Sequence, residues 1–199
     1  MSRILLASSN PGKLAEFNDL LANSGRSFVA QSAYDVDDVE ETGLTFVENA
    51  LLKARHASRI SGLPALADDS GLCVDHLRGA PGLYSARYSG HHGDNAANNA
   101  KLLRELEGVP TEQRGAFFIC VLVLLQHADD PAPLIAEGRW YGRVLTEQRG
   151  THGFGYDPLF LPDGETVSAA ELPPGLKNRV SHRGRALVQL RASLDAPHG

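Results

Sequence analysis

The sequence predicts an α/β fold on a mixed sheet. Three observations carry that prediction: a strand, loop and helix opening, a long hairpin in the middle of the chain, and apolar stripes at helical spacing before and after that hairpin. Residues Arg3 to Ala7 read as a short buried strand, after which Leu14, Phe17, Leu20 and Leu21 recur with helical period. Thr45 followed by Glu48 has the form of a capping box, and Val47, Ala50, Leu51 and Ala54 continue as a stripe that stops near Gly62 and Pro64. Ala65 to Ala67 rises into Asp68 and Asp69 as a strand ending in acids. Ser70-Gly71 is expected to break it before Leu72 to Val74 resumes an extended run. Asp94 is placed to cap a third helix through Leu106, with Gly108 and Pro110 as stop signals. Phe117 to Leu125, rich in β-branched and aromatic residues, turns at Asp129-Asp130-Pro131 into a return strand from Leu134 to Val144. Ser181 is placed to cap a last helix whose Ala186, Leu187, Leu190 and Leu194 form one face.

Composition narrows the function classes. The 199 residues are 42% hydrophobic and 22% charged, with 20 Gly and 11 Pro, which suits one domain over residues 1–199, folded as two lobes around a cleft. Lysine and arginine number 19 against 24 acids, a formal charge of −5 that disfavours an extended nucleic-acid or membrane-surface binder. The longest wholly apolar run, Ala116 to Leu125, falls far short of the roughly 20 residues that span a bilayer. Cys73 and Cys120 stand apart without metal or redox spacing, so the expectation is a soluble, cytoplasmic protein.

Four segments carry residue types suited to chemistry. Ser8, Ser9, Asn10, Pro11, Gly12 and Lys13 lie between the opening strand and its helix, where unpaired N–H groups and a lysine suit phosphate oxygens. The run is not a Walker A loop, since Leu14 stands where Ser or Thr would follow the lysine. Glu40, Glu41, Asp68 and Asp69 offer hard oxygen ligands of the kind Mg²⁺ takes, with Lys53 on the intervening helix as a counter-charge. Gly153-Phe154-Gly155-Tyr156-Asp157-Pro158 combines backbone freedom with two aromatic faces suited to stacking a base. Lys177, His182 and Arg183 crowd donors around the start of the last helix, where cations do not favour helix stability and keto oxygens of a base would be read. Taken singly, each segment also admits a plain reading: a capped turn, a solvated acidic turn, a tight turn with packed aromatics, a basic solvated face.

Taken together, SSNPGK, EETGLTFVENALLKA, ADDSGL, GAPGLYSARYSG, GFGYDPLF and the terminal K-x-x-x-SHRG-x-A resemble the inosine/xanthosine triphosphate pyrophosphatase family, in order and from about Ile4 to Leu194. The resemblance implies an elongated mixed sheet flanked by helices, two lobes around a central active-site cleft, and usually a homodimer. It also implies hydrolysis of noncanonical purine nucleoside triphosphates (ITP, dITP, XTP) to monophosphate and pyrophosphate. Carried over by residue, Ser8 to Lys13, Lys53 and Ser70 would bind the phosphate side, and Asp69 would be general base and Mg²⁺ ligand with Glu41 and Asp68 beside it. Phe154, Gly155, Tyr156, Asp157, Lys177, His182 and Arg183 would form the nucleoside side. Many members carry a second basic residue near the position of Phe117, which this chain lacks, and His152 is individual to it. A Maf-like pyrimidine or modified-nucleotide pyrophosphatase and a noncatalytic nucleotide sensor are the competing readings; the SHRG and GFGYDP segments disfavour the first, and the intact acids and Lys13 the second.

Overall fold

A computed structural model describes residues 3–8, 17 and 27–195. Its elements in chain order are β1 (Arg3–Ala7), β2 (Ser27–Ala30), α1 (Phe46–Ser61), β3 (Ala65–Val74), α2 (Asn95–Glu105), β4 (Gly115–Leu125), β5 (Leu134–Val144), β6 (Phe160–Pro162), α3 (Pro174–Val180) and α4 (His182–Asp195). The strands form one sheet in the order β2-β1-β3-β4-β5-β6. It is mixed, as expected: β1 runs parallel to β2 and β3, whereas β5 and β6 are antiparallel. Of the opening helix, Leu14, Leu20 and Leu21 lie outside the described residues; Phe17 is helical and buried.

Local chemistry accounts for where the helices begin and end. Thr45 Oγ1 accepts the Glu48 N–H at 3.3 Å, while Glu48 Oε2 takes the Thr45 hydroxyl and the Leu44 N–H, each at 2.8 Å. These bonds, the Thr45 hydroxyl first, hold the Glu48 carboxyl below the usual carboxylate range. Gly62 closes α1 in the left-handed region, its N–H donating to Ser58 O. Asp94 caps α2 through the Ala97 N–H at 2.9 Å. In the turn between β4 and β5, Asp130 accepts the Gln126 and Ala132 N–H groups, each at 2.9 Å, and both bonds pull its carboxyl below the ordinary value.

Two expectations are corrected here. Ser70-Gly71 does not break β3, which runs unbroken from Ala65 to Val74; β1 and β4 flank it, and sheet pairing overrides the weak local propensity of Ser and Gly. The donors around residue 177 do not all open the last helix. Lys177 and Arg179 sit in the last turn of the separate helix α3, where the dipole favours positive charge, and Ser181 ends that helix by donating its N–H to Lys177 O. Strands β2 and β6 and helix α3 were not expected, being too short for periodicity to register.

The chain forms two compact units, the first holding the described residues up to Asp69 together with Cys120–Gly138 and Arg183 onward, the second holding Ser70–Ile119 and Arg139–His182. In the first, Ile4 and Leu6 of β1, Leu66 of β3 and Leu122 and Leu124 of β4 bury against Ala186, Leu187 and Leu190 of α4, the face read from the sequence. Its helix α1 packs on β1 and buries small side chains, Ala50, Ala54 and Ala57. In the second, Leu72, Leu102, Leu106, Trp140, Tyr156 and Phe160 share a core, with the Trp140 and Phe160 ring centroids 5.3 Å apart. Among the described residues no helix is long and apolar enough to cross a membrane.

Arg114 staples the second unit. Its buried guanidinium donates to the carbonyls of Leu106, Val109 and Leu145 at 2.7, 3.0 and 3.2 Å, so the carbonyl-rich end of α2 satisfies the charge. Truncation would strand those carbonyls and leave a void. Arg114→Ala is expected to lower unfolding free energy by about 3 kcal/mol, read from the urea midpoint at unchanged slope.

Candidate active site

In the first unit, α1 grips both oxygens of one carboxylate from successive turns. Asn49 and Lys53 are four residues apart and therefore share a helix face. Asn49 Nδ2 donates to Asp69 Oδ2 at 3.2 Å, and Lys53 Nζ donates to Asp69 Oδ1 at 3.3 Å. The same ammonium donates to Glu41 Oε1 at 2.7 Å. Burial alone would push Lys53 toward its neutral form; the carboxylates of Asp69, Asp68 and Glu41 outweigh that and hold its pKa above the ordinary lysine value. Lys53 is thus an ammonium wherever these acids are ionised. Asp68 and Asp69 are both buried in β3, and Ser70 follows them, half-buried. The parallel register pairs Ala7 of β1 with Ala67 of β3, so Ser8 and Asp68 are the next residues along each strand. Ser9, Asn10, Pro11, Gly12 and Lys13 lie outside the described residues.

In the second unit, Asp157 is the hub of the glycine-aromatic loop. Its Oδ2 accepts the Phe154 N–H at 2.9 Å and Lys177 Nζ at 2.8 Å, a buried ion pair, and Lys177 Nζ lies 5.2 Å from the centre of the Phe154 ring. Gly153 is required by this arrangement: its φ is +77°, and a Cβ there would fall 2.2 Å from Asp157 Oδ2. Gly155, also at positive φ, has its carbonyl held by the Asn99 Nδ2 donor of α2 at 3.0 Å. The Tyr156 hydroxyl donates to Ser85 O at 2.9 Å, and the Ser85 hydroxyl accepts the Leu72 N–H of β3. His182 stacks on Phe118 with centroids 4.8 Å apart and rings 12° from parallel. Arg183, buried, is the second residue of α4.

The geometry thus joins Glu41, Lys53 and Asp69 in one cluster, with Asp68 acting on the same ammonium, and Phe154, Asp157 and Lys177 in another. One role is corrected. Tyr156 does not offer a face for stacking, because its ring is 3% exposed and belongs to the core; Phe154 is half-buried and keeps the less covered ring.

The Ham1 family model matches residues 4–193, nearly the whole chain. The chain belongs to the Ham1 family. It is 59% identical over 196 residues to a dITP/XTP pyrophosphatase of Xanthomonas oryzae pv. oryzae, covering 98% of each protein. Among solved structures it resembles a HAM1 protein from Coxiella burnetii, 49% identical with a TM-score of 0.91 and 98% of each chain covered. A nucleoside-triphosphatase, dITP/XTP pyrophosphatase from Mycobacterium abscessus is 46% identical with a TM-score of 0.78, covering 98% of this chain and all of that one.

Several residues that shape the site in this Ham1-family chain escaped the sequence reading. Asn49, Asn98 and Asn99 are buried on helices whose faces are otherwise apolar or charged, and Asn in a helix interior is unfavourable on local grounds, which is the signal that marks them. Asn98 pins the segment after Ser85, accepting the Ser89 N–H at 2.7 Å and donating to Ala86 O. Beside Phe117, the Arg139 guanidinium of β5 lies 5.1 Å from the ring centre. Burial pushes the Cys73 thiol up to about 11, and Arg139 only partly offsets this. Breaking the buried pair from one side would leave Asp157 charged and without its ammonium. Lys177→Met is therefore expected to cost about 3–5 kcal/mol in urea unfolding, whereas a change at the exposed Arg191 should leave the midpoint unmoved.

Proposed function

We propose that residues 1–199 act as one catalytic domain whose reaction centre is the Glu41, Asp68, Asp69 and Lys53 cluster. The chain is a nucleoside triphosphate pyrophosphohydrolase of noncanonical purine nucleotides, ITP, dITP and XTP, releasing the monophosphate and pyrophosphate. The observation that carries the reading is the convergence of Glu41 and Asp69 on one half-buried ammonium, with the charge of Asp68 acting on it too, in a chain so close to proteins named for this activity.

The residues suit the reaction. Water attacks the α-phosphorus, the bond from that phosphorus to the α,β-bridging oxygen breaks, pyrophosphate leaves, and Asp69 accepts the proton of the attacking water. Asp69 is well placed for this because α1 fixes its carboxylate at both oxygens. Lys53 holds a positive charge in the cluster that offsets charge on the polyphosphate. Ser8 to Lys13 and Ser70 bind phosphate oxygens. Among the described residues no three His, Cys, Asp or Glu side chains form a ready-made cation cage. The donor set nevertheless fits Mg²⁺, which takes one or two carboxylates and completes its shell with substrate phosphate and water: Asp69 and Glu41, with Asp68 beside them, would hold it. Bound there, the ion supplies charge neutralisation at the reacting phosphates.

On the nucleoside side, Phe154 stacks the base, Asp157 and Lys177 fix the loop that carries it, and Gly155 and Tyr156 set its backbone. His182 and Arg183 present donors to the 6-keto oxygen of hypoxanthine or xanthine. Adenine would set its amino donor against those donors, and a buried site built to bond a keto group rejects such a base by up to about 10⁴-fold. The protein is proposed to work in the cytoplasm as a homodimer, which a mass measurement in solution tests.

With Mg²⁺ and a panel of ITP, dITP, XTP, GTP, ATP and dTTP, the expected products are pyrophosphate with IMP, dIMP or XMP, and ATP and dTTP should turn over poorly. Orthophosphate with a diphosphate would refute the bond assignment. Asp69→Asn is expected to lose about 10²–10⁴-fold in kcat at saturating Mg²⁺. Recovery at high metal concentration would make Asp69 chiefly a ligand.

A further inference from the structure

Asn49 is 1% exposed and makes two hydrogen bonds of opposite sense. Its Oδ1 accepts the Gly43 N–H at 2.8 Å, and its Nδ2 donates to Asp69 Oδ2 at 3.2 Å. The two bonds determine which way the amide points. Turning it over would set an N–H against the Gly43 N–H and an oxygen against the Asp69 carboxylate, two repulsions in a buried place. The Gly43 end has no slack: a Cβ on Gly43 would lie 2.7 Å from Asn49 Oδ1 and 2.6 Å from Glu48 Cβ. Gly43 stands two residues after Glu41, whose carboxylate shares Lys53 with Asp69. The amide therefore ties the segment that carries one acid to the other acid, and the capped first turn of α1 holds the tie in place.

We propose that Asn49 is a positioning residue for the reaction: it relays the Gly43 N–H to Asp69 and fixes the direction in which the Asp69 carboxylate faces the attacking water and Glu41. The inference rests on Asp69 having the role given above. Asparagine is the side chain the relay needs, because one end must accept and the other donate at the same length. Aspartate keeps the acceptor for Gly43 and reverses the polarity toward Asp69; alanine removes both ends.

The test compares wild type, Asn49→Asp, Asn49→Ala and Asp69→Asn. Three quantities are measured on each: kcat and KM for dITP with Mg²⁺, the urea midpoint, and Mn²⁺ affinity without nucleotide by electron paramagnetic resonance. In Asn49→Asp, kcat should fall by about 10–100-fold, the range for losing a hydrogen bond that orients a ligand carboxylate, while KM stays within about threefold. Its urea midpoint should fall, since the new carboxylate stands against Asp69 in a buried place, so its kcat and KM are read in buffer without urea, where circular dichroism shows it folded. In Asn49→Ala, Mn²⁺ should bind about 10-fold more weakly. Wild-type kcat in Asn49→Asp together with an inactive Asp69→Asn would overturn the inference and leave the role of Asp69 standing. Wild-type kcat and wild-type Mn²⁺ affinity in a folded Asn49→Ala would make Asn49 merely structural and also overturn it. Near-wild-type turnover in Asp69→Asn would overturn both readings, because Asn49 would then have nothing to position.

Discussion

The Lys53 ammonium is the charge on which the first unit's acid cluster depends. Glu41, Asp68 and Asp69 all act on it, and two buried carboxylates in consecutive positions of a central strand would otherwise repel each other in a medium that screens poorly. The lysine reaches them from α1, whose start is fixed by Thr45 and Glu48 and whose end is fixed by Gly62. Helix capping, an ordinary matter of local stability, therefore decides where the Lys53 charge stands in the cluster.

The same economy recurs in the second unit with a different centre. There a carboxylate, Asp157, gathers donors: the Phe154 N–H and the Lys177 ammonium converge on a single oxygen. Asparagines reach from a helix in both places: Asn49 of α1 donates to Asp69 itself and accepts the Gly43 N–H, and Asn99 of α2 donates to the Gly155 carbonyl of the loop that carries Asp157. An asparagine accepts at one end and donates at the other without adding charge, so it can join a backbone group to a second polar group inside a core where a charged side chain would need its own partner.

Much of this was legible in the chain itself. The capping box at Thr45, the Asp94 cap, the turn at Asp130 and the apolar face of α4 are patterns of residue type and spacing, and the structure reproduces them. The mixed sheet followed from helical stripes lying among strand-like runs. What periodicity missed was set by tertiary contact: the continuity of β3 through Ser70 and Gly71, the short β2, β6 and α3, and the position of Lys177 in a helix of its own. At the site, the Glu41, Lys53 and Asp69 grouping was expected from charge complementarity, whereas Asn49 and Asn99 were passed over because a lone amide within a helical stripe has no charge to draw attention to it. Tyr156 shows the converse. Its aromatic ring looked available, but the core claimed it, and only its hydroxyl reaches back to the loop through Ser85.

The buried side of α1 carries Ala50, Ala54 and Ala57, and alanine has no rotamers. Where the helix rests on these methyl groups no side chain can swing aside to absorb a misfit, so its height above β1 there is set by backbone dimensions and methyl size. Any larger residue at these three positions would lift the whole helix, carrying Asn49 and Lys53 away from Asp69 together. The tolerance of the carboxylate cluster to change is therefore set in part by three side chains that carry no polar atom of their own.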